Sequence, residues 1–201
     1  MKTCLEDYDY PLPAELVAQY PAEPRDASRL LVISRKTGGL HHTSFVELPQ
    51  WLDDNDLVVV NDTQVFPARL RGLKDTGGRV EMLLHHLPVG EGNGAVSRQA
   101  RARAGYRSRR RLRPGHIVTF GPDLSGEVLS LPQPGTVEVL FWCESGDIRE
   151  KIHELGKVPL PPYIRRDPDA SDQRRYQTVF ARRPGAIACP TAGLHFTEEI
   201  L

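Results

Sequence analysis

The chain has 201 residues, 39% of them hydrophobic, and its 26 basic and 26 acidic side chains cancel to a formal net charge of zero. That length buries the core of one large domain or two small ones, and the neutral total rules out any inference of an anionic partner from the whole-protein field. No stretch reaches the roughly 18 apolar residues of a transmembrane helix, and Met1 to Tyr10 lacks the basic-then-apolar order of a signal peptide, so a soluble, cytoplasmic protein with no membrane partner is expected.

Three cysteines, Cys4, Cys143 and Cys189, are too few and too scattered for a disulfide framework, and no C-x-x-C pair exists. Reduced thiols are expected. The adjacent pairs His41-His42 and His85-His86 point to opposite faces of a strand and do not converge on one ion, so no metal site is expected.

In chain order, Pro13 suits the first position of a helix with the apolar stripe Leu12, Leu16, Val17 and Tyr20, ended by Pro21 and Pro24. Residues 30–34 read as a strand, 36–39 (Lys-Thr-Gly-Gly) as a turn, and 40–43 as the returning arm of a hairpin. A short helical segment around Phe45, Leu48, Trp51 and Leu52 follows. The run 57–60, continuous and apolar between acids, reads as a strand covered on both faces. It delivers Asn61, Asp62 and Thr63 at its carboxyl end, where polar groups commonly face a site.

From Phe66 to Trp142 the rhythm changes to short β-like runs at 67–74, 79–87, 96–104, 116–120, 126–131 and 136–142. Gly, Pro and Asp mark the turns between them, including a loop at 88–94. Six short strands without an intervening helix predict a small antiparallel β-barrel inserted into the first domain. Helical spacing resumes with Ile148, Ile152 and Leu155, capped by Gly156. Residues 159–162 hold the chain extended, and 171–180 form a second helical patch. Pro184-Gly185 then leads to a buried strand at 186–189, and Thr197 reads as an N-cap with Glu198 and Glu199 favourably placed against the helix dipole. The chain stops at Leu201, barely a turn into that helix.

Two features carry chemistry. Between Arg98 and Arg113 stand eight arginines and no acid, which leaves the rest of the chain net acidic. Ala100, Ala102 and Ala104 alternate with Arg101 and Arg103, so a strand here packs its small face inward and presents guanidinium forks outward, suited to phosphate. A charge-protected edge strand is the plain alternative, but so many arginines exceed what edge protection needs, which favours RNA. The segment Pro190-Thr191-Ala192-Gly193-Leu194-His195-Phe196-Thr197 joins an apolar run to a helix start. Its backbone amides, with Thr191 and His195, suit a carboxylate, phosphate or ribose, although an ordinary strand-to-helix turn reads equally well.

Six segments stand out in order: Asp26-Ala27-Ser28-Arg29-Leu30-Leu31, then Asn61-Asp62-Thr63 followed by Pro67-Ala68-Arg69-Leu70, and Thr76-Gly77-Gly78 with Val80-Glu81. Pro159-Leu160-Pro161-Pro162-Tyr163-Ile164, Arg175-Tyr176-Gln177-Thr178-Val179 and PTAGLHFT at 190–197 complete the series. Together they are similar to the successive blocks of the S-adenosylmethionine:tRNA ribosyltransferase-isomerase family of queuosine biosynthesis. Residues 106–113 differ in detail from the family's lysine-and-proline pattern but keep its basic character.

The resemblance implies an α/β domain interrupted by an inserted small antiparallel β-barrel, with residues 1–64 and 148–201 in the discontinuous α/β domain and 65–147 in the insert. It implies transfer and isomerisation of the ribosyl part of S-adenosylmethionine onto 7-aminomethyl-7-deazaguanine in tRNA, giving epoxyqueuosine and releasing adenine and methionine. S-adenosylmethionine is then a substrate, no prosthetic group is needed, and the partner is tRNA with a modified wobble base. Members continue beyond PTAGLHFT through a Gly-rich block, so the resemblance also implies that the carboxyl-terminal part of the fold is absent and this portion is catalytically incomplete. A non-catalytic tRNA-binding fragment is the alternative.

Such chemistry needs a proton acceptor beside the sulfonium and a route for protonating adenine. Asp62 and His195 are the candidates for proton transfer, with Asn61, Thr63, Thr191 and Gly193 positioning the nucleoside. Arg29, Arg69 and Arg175 suit a phosphate or the methionine carboxylate, or serve as structural ion pairs, and Asp26 is expected to pair with Arg29. Arg101, Arg103, Arg107, Arg109, Arg110, Arg111 and Arg113 are the candidate tRNA contacts.

Overall fold

The computed structural model describes residues 4–90 and 96–201, so the start of the chain and most of the loop expected at 88–94 lie outside the described residues. Strand β1 (Arg29–Ile33) pairs antiparallel with β2 (Leu40–Ser44), from Arg29 opposite Ser44 to Ile33 opposite Leu40, as the hairpin pattern predicts. A 3-10 segment, Phe45–Trp51, follows and buries Phe45. The helix expected after Pro13 shrinks to one 3-10 turn, Ala14–Leu16, with Leu12, Leu16 and Tyr20 exposed. The prolines leave too short a span to repay nucleation.

Residues 57–60 correct a second expectation. They form no strand, and Leu57 and Val59 are 87% and 84% exposed. Extended backbone needs a neighbour for its amides and carbonyls, and among the described residues none is offered. Pairing starts one step later, where β3 (Thr63–Val65) runs parallel to a strand from the far end of the chain.

The expected barrel is present. Its strands are β4 (Arg69–Lys74), β5 (Arg79–Leu84), β7 (Gln99–Ser108), β8 (Ile117–Gly121), β9 (Leu124–Gln133) and β10 (Thr136–Trp142), with a short β6 (Val89–Gly90) added beside β7. The order β10-β9-β8-β4-β5-β7 closes because β10 also pairs with β7, from Thr136 opposite Gly105 to Trp142 opposite Gln99. Closure removes the open edges of the sheet. Every second side chain faces in, so Leu70, Met82, Leu84, Val118, Val139 and Phe141 are fully enclosed.

Helix α1 (Ile148–Leu155) plugs the barrel with Ile148 and Ile152, both buried. Asp147 caps it by accepting from the Arg149 amide at 2.8 Å, and its other oxygen accepts from the Ser97 amide at 3.0 Å. Helix α2 (Ala170–Arg175) follows, capped by Asp169. Strand β11 (Arg183–Ala186) is the parallel partner of β3, so the strand expected at 186–189 lies earlier than the apolar run suggests. The Gln177 side-chain amide stands in for a third strand, accepting from the Val65 amide at 3.0 Å and donating to its carbonyl at 2.6 Å. The helix expected after Thr197 is a single turn in which the Thr197 hydroxyl accepts from the Ile200 amide at 3.4 Å.

Candidate functional site

A cavity of about 570 Å³ opens between the segment before β1, the 160–166 segment, α2 and the 3-10 helix Thr191–His195. Four residues singled out from the sequence, Arg29, Arg175, Thr191 and His195, line it together. They come from three separate segments, β1, α2 and the 3-10 helix Thr191–His195. Arg175 is already engaged, 2.7 Å from Glu23 and donating to the Ala22 carbonyl. The His195 ring lies against Phe45 with centroids 5.2 Å apart, and Phe196 packs edge-on to Phe45 and Phe180, which fixes the 3-10 helix on an aromatic bed.

The side chains that shape the cavity include Tyr20, expected on a helix stripe, and two that the motifs did not single out, Arg166 and Asp172. Arg166 donates to both oxygens of Asp172 at 2.6 and 2.7 Å, donates from Nε to the Gln19 carbonyl at 2.9 Å, and lies 4.1 Å from the centre of the Tyr20 ring. Hydrogen bonds from Arg166 hold the buried Asp172 carboxyl below the usual carboxylate range despite desolvation. Asp172 also accepts from the Asp169 amide at 2.8 Å, completing a capping box. The legible signal was that box, Asp169-x-x-Asp172, which marks a helix start but says nothing of the arginine it binds.

Other candidates stand elsewhere. The Asn61 side chain accepts from the Thr63 amide at 2.9 Å, and Asp62 sits 3.2 Å from Arg183 beside the β3–β11 pair. Arg69 donates to the Leu160 carbonyl at 3.2 Å and lines a neighbouring depression of about 660 Å³ that shares Leu160, Pro161, Ile164 and Tyr176 with the first. Asp26 faces the Thr197 hydroxyl at 3.5 Å. At Gly193 an added Cβ would lie 2.8 Å from Thr178 Cγ2, so its small size serves packing on Thr178.

Cys189 is buried near the cavity, and burial pushes its thiol up to about 11. Burial raises Cys143 as well, whereas Cys4 is exposed. Since the thiolate is the reactive form, iodoacetamide at about pH 8 is expected to label Cys4 alone in the folded protein and all the thiols after denaturation. Mass spectrometry showing rapid labelling of Cys189 would contradict this.

The arginine-rich segment behaves as its alternation predicts. Along β7, Ala100, Ala102 and Ala104 are buried, while Arg101, Arg103 and Arg107 are exposed. Arg109, Arg110, Arg111 and Arg113 are exposed in the segment that follows, around the buried Leu112. This basic face belongs to the barrel, and the cavity above belongs to the elements outside it.

No group of three or more His, Cys, Asp or Glu among the described residues is placed to hold a metal ion, and no described helix is long and apolar enough to cross a membrane. A family model described as "Queuosine biosynthesis protein" matches residues 5–201. The chain belongs to that family. Among curated relatives, an S-adenosylmethionine:tRNA ribosyltransferase-isomerase of Syntrophotalea carbinolica is 44% identical over 199 residues, covering 98% of this chain and 55% of the relative. Proteins of the same name from Anaeromyxobacter sp. (strain Fw109-5) and Aquifex aeolicus are 48% and 41% identical with the same coverage. The chain therefore spans about half the length of the curated relatives it matches. A crystal structure of S-adenosylmethionine tRNA ribosyltransferase from Thermotoga maritima shares 30% identity and covers 96% of this chain and 52% of that one, with a TM-score of 0.33.

Proposed function

We propose that the cavity lined by Arg29, Arg175, Thr191 and His195 binds S-adenosylmethionine, and that the chain belongs to an enzyme that transfers and isomerises its ribosyl part onto 7-aminomethyl-7-deazaguanine in tRNA to give epoxyqueuosine. The observation that carries this reading is the convergence of those residues on one cavity from three segments. The names of the family's curated members support the substrate and the reaction. Residues 1–64 and 148–201 are read as parts of one α/β domain that holds S-adenosylmethionine, and 65–147 as the inserted barrel that meets tRNA through its arginines.

The sulfonium acidifies its neighbouring protons, so the electrophile arrives activated and the protein must hold it and accept one proton. His195, tilted against Phe45 and lining the cavity, is the group for that proton. Asp62, beside Arg183, supports the strand that leads there. Arg29, exposed at the cavity wall, meets the methionine carboxylate, while Arg175 is held by Glu23 and shapes the wall. A tRNA substrate supports a cytoplasmic location.

The test uses the protein at the length of its curated relatives, with S-adenosylmethionine and tRNA carrying the aminomethyl precursor. His195→Gln is expected to lower adenine release by about 100-fold or more while S-adenosylmethionine binding, followed by calorimetry, persists. Wild-type adenine release from the variant would remove His195 from the chemistry. Absence of S-adenosylmethionine binding in the parent protein would remove the cavity.

A further inference from the structure

One rim of the barrel carries three linked depressions. The first, about 720 Å³, lies between Lys74 and the 110–116 segment and is lined by Arg110, Arg111, Arg113 and His116. The second, about 420 Å³, shares Lys74, Thr76 and Arg110 with it and adds the turn glycines Gly77 and Gly78. The third, about 740 Å³, shares Arg79, Ser108 and Arg109 with the second and extends to Arg71 and Arg107. Among the described residues the only acid lining any of them is Glu81, held at 3.1 Å by Arg71, which also contacts Asp167 at 2.5 Å.

At the middle stands a residue that no sequence motif singled out. Lys74 is 7% exposed, and its ammonium has one long hydrogen bond, 3.5 Å to the Arg110 carbonyl. Among the described residues no carboxylate pairs with it. Its stem lies across the β4–β5 turn, where an added Cβ on Gly78 would come within 2.9 Å of Lys74 Cε. Taking an ammonium from water is costly unless an anion compensates it, and this fold brings further cations to it instead. A lysine that only filled space would do better as methionine.

We propose that this rim is a track for consecutive phosphates of an RNA strand, with the Lys74 ammonium contacting the central one. The partner's class follows from the shape: a free phosphate would occupy part of one depression, whereas linked depressions that share lining cations suit a chain of repeated anions. The concave track favours a strand over an anionic bilayer, which would meet only its convex borders. The site deepens the reading of the barrel as the tRNA-binding part. It extends the exposed arginines with a buried lysine and with Arg79 of β5.

The experiment measures binding of an unmodified tRNA transcript across a salt series, without S-adenosylmethionine. Lys74→Met is expected to reduce the steepness of log K against log salt by about one unit and to weaken binding by about tenfold at about 0.1 M salt. Its melting temperature without RNA is expected to equal or exceed the parent's, which a structural lysine would not permit. The exposed pair Arg109→Ser/Arg110→Ser, which tests the track without touching buried groups, is expected to flatten the slope by about two units. Unchanged slopes in both variants overturn the proposal. So does retained tRNA binding by Lys74→Met alongside loss of binding to phosphatidylserine vesicles or of stabilisation by inorganic phosphate, which would assign the site to a bilayer or a single anion. S-adenosylmethionine binding, followed separately, reports on the cavity, so failure of the track and failure of the cavity are distinguishable.

Discussion

Asp172→Ala is expected to lower the free energy of unfolding by about 3 kcal/mol, because it leaves Arg166 charged in a pocket built for a pair. The Asp172 and Arg166 side chains are only 4% and 16% exposed, and the fork-to-fork contact at 2.6 and 2.7 Å is bidentate. Without the carboxylate, Arg166 keeps the Tyr20 face and the Gln19 carbonyl, and its remaining counterion among the described residues is Asp169 at 3.5 Å. The α2 capping box is lost as well, since Asp172 supplies half of it. The consequence reaches function because Tyr20, Arg166 and Asp172 all line the cavity. Urea unfolding at pH 7 measures the loss, and a change below about 1 kcal/mol would show the pair to be no stronger than a surface ion pair.

The same pair sets a pH dependence. The folded Asp172 carboxyl lies below its ordinary value, chiefly through the Arg166 hydrogen bonds. The unfolded chain therefore binds more protons between the two values. The contribution is complete above the unfolded carboxyl value of about 3.9 and is lost as pH falls through the folded one. The stability gap between the parent protein and Asp172→Ala is thus expected to close at acid pH. Asp123 and Asp147 are lowered too, by hydrogen bonds from Ser145 and Ser97 respectively, so the parent itself weakens in the same range.

Gly156→Ala is expected to cost about 3 kcal/mol, or a melting temperature lower by about 10 °C, although it adds only a methyl group. Gly156 has an ordinary φ of −71°, so the demand is for space. An added Cβ would stand 2.0 Å from the Pro67 carbonyl oxygen and 2.6 Å from that of Ile152, and neither backbone atom can swing aside as a side chain would. The contact is close because the chain leaving α1 is clipped to the start of β4. Arg69 donates to the Lys157 carbonyl at 3.1 Å, and the Lys157 amide donates back at 2.8 Å. Separating these strands releases the α1 plug from the barrel and shifts the 160–166 wall of the cavity. Lys157→Ala, at an exposed position, is the control expected to change little. Equal melting temperatures for Gly156→Ala and the parent would show that the clip yields at no cost.

What the sequence determined by itself was whatever local chemistry repeats or punctuates. The six barrel strands, the β1–β2 hairpin and α1 were legible because period-two alternation, the turn glycines and the Ile148–Ile152 spacing act within a few residues. The outward arginines of β7 were legible for the same reason, since a strand that buries Ala100, Ala102 and Ala104 has one other face. The tertiary structure alone decided the rest. Residues 57–60 carry a strand's composition but find no partner among the described residues, and composition cannot supply one. Gly193 reads as a ligand's point of approach, and only the tertiary structure shows that Thr178 packs against it. Arg166 reads as one arginine among many until Gln19, 147 positions away, brings its carbonyl and the neighbouring Tyr20 ring to it. Lys74 reads as the polar end of a strand until the segment after β7 closes over it. Contacts between distant segments leave no period in the chain, and these contacts are what make a cavity and a charged track out of residues the sequence lists only singly.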